Sequence, residues 1–305
     1  MAHILSERRL PLLFHKRYGS TRTLISVERG IRVHIVVCVK QVPDSREIRI
    51  DTKTGTLIRE GVPSIVNPYD LHGLEAALQL REQHGGRVTV ITMGPPMAEK
   101  ALKETISLGA DDAVLVTDRK FGGADTLATS YVLAEAIRKA ADTWGPVDLV
   151  IAGKQTLDGD TGQVGPGIAC RLGLQQLTYV EKIVAVEGRR IRVERRLEDG
   201  LEVVETSLPA LLTVLKEINT VRRASLPGMI AAARYKPIVW TVADFPDIDV
   251  TKIGLKGSPT VVSRSWVPEV RKVDTTYVDG AAELWEALWA TDLPERLGWS
   301  AEEGA

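Results

Sequence analysis

From residue 33 onward, short apolar runs rich in β-branched residues alternate with segments that repeat apolar residues at helical spacing. The runs predict strands at 34–41, 87–93, 113–117 and 147–152, and the spaced segments predict helices at 67–84, 96–108 and 125–141. Repetition of strand, helix and strand predicts a parallel sheet covered on both faces. Ligands of such sheets lie beyond the carboxyl ends of the strands.

The pattern changes after Gly173. Charged runs with alternating apolar residues cover 179–186, 190–198 and 201–206, separated by Glu187-Gly188 and Asp199-Gly200. They predict an antiparallel meander, followed by an apolar strand at 210–215. Further along, a tail with leucine and tryptophan on one helical face at 284–288 is typical of a docking segment. Near the start of the chain, Lys53-Thr54-Gly55 predicts the turn of a hairpin.

The first 32 residues differ in charge from the rest, with seven basic residues against Glu7 and Glu28. An arginine-rich, acid-poor leader is typical of a transit peptide, but a start codon assigned too far upstream, or a disordered tail, fits this segment better. We therefore expect three regions: a leader at 1–32, an α/β domain with the meander at 33–235, and an extended arm with a helix at 236–305.

A glycine-rich loop follows the strand predicted at 147–152. Its glycines are Gly153, Gly159, Gly162 and Gly165, and a helix-like segment comes after them. Glycines let a backbone approach an anion closely, and the N–H groups at the start of the next helix can donate to that anion. The spacing matches neither GxxxxGK[ST] nor GxGxxG. The loop therefore predicts a nucleotide or phosphate site of another kind.

Three more loops are predicted at the same edge of the sheet: VKQVPD at 39–44, NPYD at 67–70 and MGPP at 93–96. With the glycine loop they predict an adenine-nucleotide site in which backbone amides of VKQVPD and of the Gly94 turn read the adenine. Taken singly, NPYD is better explained as a helix cap and MGPP as a turn, and only the four loops together favour a site. Asp158 and Asp160 suit an anion cradle poorly, and we interpret them as helix N-caps or ribose ligands.

Charge and composition exclude several classes of function. The net charge of −1 gives no electrostatic case for nucleic acid, and no apolar run approaches the roughly 20 residues of a membrane span. Two cysteines and five scattered histidines predict no disulfide, no metal site and no nucleophilic triad, and we interpret Cys38 and Cys170 as buried apolar positions. We expect a reduced, cytoplasmic protein whose redox chemistry, if any, requires a bound cofactor.

Five motifs, in order, resemble the β subunit of electron transfer flavoproteins. They are VCVKQVPD at 37–44, NPYDLHGLEAALQL at 67–80, VTVITMGPP at 88–96, GADDAVLVTD at 109–118 and AGKQTLDGDTGQVGP at 152–166. The resemblance covers nearly all of residues 33–270. It implies an α/β fold: a Rossmann-like, doubly wound parallel sheet of the adenine-nucleotide-hydrolase type, with an added antiparallel meander and a C-terminal arm that contacts an α subunit.

The resemblance also implies a heterodimer with an FAD-carrying α subunit. The β subunit itself holds an adenine nucleotide, which is AMP in the ordinary members and a second FAD in the electron-bifurcating ones. Together with the loops above, this implies the following cofactor-binding residues: Cys38, Val39, Lys40, Asn67, Pro68, Tyr69, Asp70, Met93, Gly94, Gly153, Lys154, Gln155, Thr156, Leu157, Asp158, Gly159, Asp160, Thr161, Gly162, Gln163 and Val164.

Residues 111–134 resemble the bifurcating and nitrogen-fixation-linked branch, which implies FAD rather than AMP on the glycine loop. They also imply an NADH site at Asp118, Phe121, Gly122, Gly123, Ala124, Asp125 and Thr126. A surface loop with a helix cap at Asp125 is the simpler alternative. In that branch NADH reduces the β-held flavin. One electron then goes through the α subunit's FAD to an acyl-CoA dehydrogenase-type or quinone reductase partner, and the other goes to ferredoxin or flavodoxin.

VRRASLPGM at 221–229 resembles the family's loop for docking on acyl-CoA dehydrogenases. It implies docking residues Arg223, Leu226, Pro227 and Met229, with Leu226 as the apolar anchor, whereas an ordinary core leucine is the simpler alternative. Two rival functions stay open. One is a housekeeping electron carrier with structural AMP, and the other is a standalone adenine-nucleotide-binding module of the universal-stress or ATP-hydrolase kind.

Overall fold

A computed structural model describes residues 32–44, 49–50, 57–58, 63–261, 275 and 277–298. Nearly all of the leader predicted at 1–32 therefore lies outside the described residues, as does Trp299. The strands are β1 Val33–Cys38, β2 Gln41–Pro43, β3 Arg49–Ile50, β4 Leu57–Ile58, β5 Ser64–Val66, β6 Gly86–Met93, β7 Asp112–Val116, β8 Leu149–Gly153, β9 Gln175–Glu187, β10 Arg190–Arg196, β11 Leu201–Ser207, β12 Ala210–Val214 and β13 Ile238–Trp240. The α-helices are α1 Pro68–His84, α2 Glu99–Leu108, α3 Thr126–Trp144, α4 Val164–Leu172, α5 Leu226–Arg234, α6 Ala281–Trp289 and α7 Leu293–Leu297.

The described residues form a nine-stranded sheet in the order β11-β10-β9-β12-β8-β1-β6-β7-β13. The strands from β12 to β13 are parallel, and β9 runs parallel to β12 but antiparallel to β10. The predicted α/β fold, with its parallel sheet and added meander, is confirmed. The chain adds β6 and β7 on one side of β1, and then returns to add β8 on the other. A crevice opens at such a reversal, beyond the carboxyl ends of β1 and β8.

The core lies on both faces of the sheet. All six residues of β1 are buried, as expected for a central strand covered on both sides. Ile35 and Val37 pack with α1 and α2 residues on one face, whereas Val36 and Cys38 pack with α3 and α4 residues on the other. The alternation along β1 therefore divides the apolar residues between two layers.

Several helix starts carry a local signal. Pro68 opens α1, the Ser225 side chain caps α5, and the Asp125 carboxylate accepts from the amides of Leu127 and Ala128 at the start of α3. The helix predicted from residue 96 begins later, because Pro96–Ala98 forms a 3₁₀ turn before α2. The hairpin predicted around residue 54 is confirmed by the pairing of β3 with β4, although its turn lies outside the described residues.

Two compact units divide the described residues, with a boundary after residue 261. Among the described residues, the larger compact unit comprises 32–44, 49, 58 and 63–261, and β13 pairs with β7 inside its sheet. The sequence missed β13 because it has only three residues. The second unit contains Ile50, Leu57 and the described residues from 275 to 298, which include α6 and α7. In α6 the predicted leucine and tryptophan face is present, none of its residues is buried, and the rings of Trp285 and Trp289 lie 5.6 Å apart.

Candidate functional site

A cavity of about 960 Å³ lies at the carboxyl ends of β1, β6, β7 and β8, where the topology predicts a ligand. Fifteen of the residues predicted to bind the adenine nucleotide line it: Cys38, Val39, Lys40, Asp70, Met93, Gly94, Gly153, Lys154, Gln155, Thr156, Gly159, Thr161, Gly162, Gln163 and Val164. The remaining six, Asn67, Pro68, Tyr69, Leu157, Asp158 and Asp160, lie outside its lining.

The loop predicted for NADH lines the same cavity. All seven of its residues, Asp118, Phe121, Gly122, Gly123, Ala124, Asp125 and Thr126, contribute to the wall. The Thr126 hydroxyl donates to Gln163 Oε1 at 2.7 Å, which joins the start of α3 to the start of α4. Two groups that the sequence assigned to separate nucleotides therefore share one continuous space.

Some wall residues were missed from sequence. They are Thr117, Arg119, Thr129, Leu133 and Ala152, whereas Pro95, Pro96 and Gly165 belong to the MGPP and glycine loops that the sequence placed at the site. Thr129 and Leu133 follow Thr126 by three and seven positions, so helical periodicity applied to α3 would have found them. Thr117 and Ala152 are the last residues of predicted strands. Position at a strand end was therefore a second sequence signal for residues of the cavity wall.

Two glycines of the loop after β8 are required by close packing. A Cβ on Gly153 would stand 2.4 Å from Asp70 Oδ1, and a Cβ on Gly165 would stand 2.6 Å from Thr213 Cγ2. Gly162 has a φ of +64°, which side chains rarely adopt. The loop after β8 therefore keeps its path only with glycine at these positions, and its backbone lies directly on the cavity.

Asp70 joins the two strands at the reversal of the sheet. Its carboxylate accepts from the amide of Lys40 at 2.8 Å, just after β1, and from the amide of Gly153 at 3.1 Å, at the end of β8. Burial of the carboxyl raises the pKa of Asp70 to about 7, against the hydrogen bonds that favour its ionised form. Asp70 therefore fixes the backbone at the bottom of the cavity. Because Asp70 also lines the cavity, protonation of its carboxylate changes the charge of the cavity wall.

The predicted adenine-reading amides are not free. Lys40 N donates to Asp70, Val39 N donates to Ile91 O at 3.0 Å, and Gly94 N donates to Val116 O at 3.1 Å. The prediction that these amides read the adenine edge is wrong, because each already has an acceptor within the protein. Sequence could not show this, since the acceptors lie on strands distant in the chain.

Asn67 supports the loop after β8 from outside the cavity. It precedes α1 as predicted, but its side chain does not cap that helix. Instead Asn67 Nδ2 donates to Gln155 O at 2.9 Å, and Oδ1 accepts from Leu157 N at 3.2 Å. The fully buried side-chain amide of Asn67 thus binds the loop at two residues. This contact explains the asparagine of NPYD better than capping of α1 does.

The two aspartates of the glycine loop are bound within the protein. Asp158 pairs with Lys40 at 2.7 Å, and Asp160 accepts from the Gln155 side chain. Partial burial opposes ionisation of Asp158, but the hydrogen bonds from Lys40 and Thr156 outweigh it and lower its pKa. The N-cap of α4 is Gln163, so the interpretation of Asp158 and Asp160 as caps of this helix is wrong.

The Asp125 cap is confirmed, with a second role that the sequence did not show. The Asp125 carboxylate also accepts from the Thr260 hydroxyl at 2.8 Å, and its amide donates to Ser258 Oγ. Burial opposes ionisation of Asp125, but the hydrogen bonds that its carboxylate accepts from Ala128, Thr260 and Leu127 lower its pKa. Gly123, with a φ of +72°, packs against Leu255, so residues 255–260 close the outer side of this wall.

The remaining chemistry of the wall is that of a binding site. Burial, assisted by the nearby Asp70, raises the pKa of the Cys38 thiol to about 12, so Cys38 stays protonated. Cys170 is exposed, so our interpretation of it as a buried position is wrong, and both cysteines are free thiols. Among the described residues, His, Cys, Asp and Glu side chains form no cluster of three that could hold a metal ion. None of the described helices has the length and apolar character to cross a bilayer.

The cavity fits an adenine nucleotide. The first turn of α4 leaves the amides of Val164 and Gly165 without intrahelical acceptors. Pro166, the next residue, has no amide N–H that would need an acceptor. Lys154 adds a positive charge at the same loop. Val39, Met93, Phe121 and Leu133 supply apolar wall for a ring system.

Comparison with known proteins decides the family. The family described as "Electron transfer flavoprotein domain" matches residues 54–245, more than half of the chain. The chain belongs to the electron transfer flavoprotein family. It is 56% identical to "Protein FixA" of Azorhizobium caulinodans over 249 residues, which are 81% of this chain and 89% of that protein. It is 53% identical to "Electron transfer flavoprotein subunit beta" of Clostridium acetobutylicum over 239 residues, 78% of this chain and 90% of that protein. The predicted resemblance is confirmed, and with it a β-type role in electron transfer.

In this electron transfer flavoprotein chain, the predicted docking segment lies on the surface. Leu226 is 67% exposed, and Met229 and Ile230 beside it on α5 are about half exposed. The alternative that Leu226 is a core leucine is wrong. Arg223 and Pro227 are exposed too. Arg222 anchors the segment by pairing with buried Glu75 at 2.8 Å and with Glu82 at 2.5 Å.

Proposed function

We propose that this chain is the β subunit of a heterodimeric electron transfer flavoprotein that holds FAD in the cavity. With an FAD-carrying α subunit, it passes electrons from NADH by flavin-based bifurcation. One acceptor is an acyl-CoA dehydrogenase-type or quinone reductase partner, and the other is a low-potential carrier such as ferredoxin or flavodoxin. The observation that supports this proposal best is the continuity of the two predicted nucleotide loops around one space.

The size of the cavity favours a dinucleotide over AMP. Its volume of about 960 Å³ stands at the upper end of the range of about 300–1,000 Å³ usual for cofactor pockets. A mononucleotide would leave much of the wall, including the 118–126 loop, without a ligand. A dinucleotide such as FAD, held at the glycine loop, would also use the 118–126 loop, which lines the same cavity.

In this proposal the residues of the chain bind and orient the cofactor. Amides at the start of α4 hold the phosphates, and Asn67 and Asp70 fix the loop that carries them. The bound flavin would supply the exchange between two-electron and one-electron chemistry. Phe121, which is buried, and Leu133 exclude water from the inner wall. The Cys38 thiol stays neutral there and adds no charge that would alter the flavin's potential.

The second candidate is a housekeeping carrier with structural AMP that never contacts NADH. The cap on α3 favours it, because the Asp125 carboxylate already occupies that helix start and repels a second anion. The exposed Leu226 serves either candidate, since both dock on a dehydrogenase. Family membership argues against the third hypothesis, a standalone nucleotide-binding module.

The test is to count cofactors in the complex. We expect the chain, co-expressed with its α subunit, to purify as a heterodimer with two FAD, and NADH to bleach the flavin absorbance. One FAD with one AMP, and no response to NADH, would establish the carrier instead. A chain that purifies without an α subunit or any nucleotide would contradict both.

A variant tests whether one of the counted nucleotides binds in this cavity. Gly165→Val places a side chain where even a Cβ meets Thr213, so we expect it to lose one nucleotide per heterodimer and to keep the flavin of the α subunit. Gly200→Ala is the control, because a Cβ there meets nothing within 4 Å. Equal nucleotide content in both variants would place the nucleotide elsewhere.

A further inference from the structure

Tyr179 has a backbone conformation that tyrosine rarely adopts. Its φ is +59°, in the left-handed region, and it and Asp160 are the only non-glycine residues with positive φ among those the structure describes. Such strain persists only where the surrounding structure imposes it, and it marks positions with a function to explain. Tyr179 belongs to neither set of predicted site residues.

A bulge in the sheet imposes this conformation. Leu212 pairs with Leu177 and Val214 with Val180, so two residues of β9, Thr178 and Tyr179, oppose the single Thr213 of β12. The amide of Tyr179 donates to Thr213 Oγ1 at 3.2 Å. Bulges redirect side chains, and this one turns Tyr179 out of the ladder, with 44% of the residue exposed.

The redirected ring lies against Lys154. The Lys154 ammonium stands 5.2 Å from the centroid of the Tyr179 ring, within cation–π range, and Lys154 lines the cavity on the loop after β8. No carboxylate in the described part of the chain forms an ion pair with Lys154. Its amide is fixed as well, donating to Val214 O at 2.9 Å. Because the backbone of Lys154 is fixed and its ammonium has no ion-pair partner among the described residues, Lys154 is suited to bind an anionic ligand.

We propose that Tyr179 is a positioning residue that holds the Lys154 ammonium at the cavity, where Lys154 binds a phosphate of the nucleotide. This rests on the proposed function, because it requires a nucleotide at the glycine loop. Helix amides and Lys154 then share the phosphate charge, with the ring limiting the rotamers of a flexible side chain before binding. Pre-ordering the lysine lowers the entropy lost when the ligand binds.

A second lysine–tyrosine pair nearby supplies the matched control. The Lys216 ammonium stands 4.7 Å from the centroid of the Tyr69 ring, but neither residue lines the cavity. Lys216→Gln therefore removes the same charge and the same type of contact close to the site without removing a ligand of the phosphate. The net charge of the protein changes equally in the two lysine variants.

The experiment titrates ADP, which has a diphosphate and no flavin ring, into the full-length chain with its α subunit after removal of bound nucleotide. We expect Lys154→Gln to raise the Kd about tenfold. Tyr179→Leu, which keeps the strain and loses the ring, should raise it roughly two- to fivefold, and Tyr179→Phe should restore it. Lys216→Gln should leave it unchanged. In the Lys154→Gln background, Tyr179→Leu should have no further effect, because the ring acts through the lysine.

Two readouts separate positioning from folding. The Kd of the wild type should rise with added salt more steeply than that of Lys154→Gln, since ions screen the lysine–phosphate attraction. Tyr179→Gly, which relieves the strain, should weaken ADP binding without lowering the thermal unfolding midpoint. Wild type that binds none of ADP, AMP and FAD would overturn the proposed function and this proposal with it. Wild-type binding that Lys154→Gln or Tyr179→Leu does not weaken would overturn this proposal alone.

Discussion

At the scale of residues, the site is built from side chains that bind the protein's own backbone. Asp70, Asn67 and Asp125 were predicted to meet ligands, yet the structure shows them holding amides and loops. Buried polar groups require such partners, because an unpaired carboxylate or amide in the interior is costly. In the proposed site, backbone amides, Lys154 and the apolar wall would therefore contact the ligand.

The charge of Asp70 should make stability depend on pH. The unfolded chain releases this proton near the ordinary pKa of 3.8, whereas the folded protein keeps it until about 7. The folded state therefore binds more protons in this window, and its free energy of unfolding falls as pH rises through it, by a few kcal/mol at most. Asp70→Asn should remove this slope, measured by chemical denaturation from pH 4 to pH 8.

Asp158 is a control whose effect on stability changes with pH in the opposite direction to that of Asp70. Its pKa is lowered, so its contribution is present above the ordinary value and is lost as pH falls. Asp158→Asn should therefore flatten the acid side of the stability profile and leave the slope near neutrality in place. A slope between pH 4 and pH 7 that survives in Asp70→Asn would show that another group produces it.

At the scale of elements, α5 presents an exposed apolar surface, and the segment before it is anchored by the ion pairs of Arg222. Leu226→Asp should reduce electron transfer to an acyl-CoA dehydrogenase-type partner at least about tenfold, because it puts a charge at the centre of an apolar contact. The fold should be unaffected, since Leu226 is 67% exposed and an acidic residue is favourable in the first turn of a helix.

The control for this variant is Val250→Asp, which adds the same charge at a position 52% exposed and outside α5. Steady-state transfer rates with the partner and thermal unfolding midpoints would be measured for both variants. Equal transfer rates in the two would remove α5 from the docking surface.

Elements with strong patterns were predictable from sequence, and their contacts were not. The apolar run that includes β1 and the periodicity of α3 defined those elements, because burial on two faces gives a continuous apolar run and burial on one face gives a periodic pattern. The three residues of β13 leave no such trace. The acceptors of the Val39 and Gly94 amides, and the Tyr179 bulge, depend on which strands become neighbours, so local pattern could not reveal them.

At the scale of the whole molecule, the cavity and both core layers lie in the larger compact unit, while α6 and α7 lie in the other. A chain that ends at residue 263 should keep its cooperative unfolding, because it retains that core, and should lose only the helical signal of α6 and α7 from its circular dichroism. It should fail to co-purify with the α subunit, which we expect the arm to contact. Trp285→Ala in the full chain tests the α6 face alone. Unchanged co-purification of the shortened chain would rule out the arm as the contact.

The two edges of the sheet differ from its centre. Among the described strands, β13 at one edge has only three residues, and β11 at the other places Glu202 and Glu205 opposite arginines of β10. Edge strands with unpaired amides and carbonyls are templates on which another chain can add a strand, and short length and charge are two ways in which proteins prevent this. The short β13 and the charged β11 therefore disfavour the addition of a strand from another chain at either edge of the nine-stranded sheet.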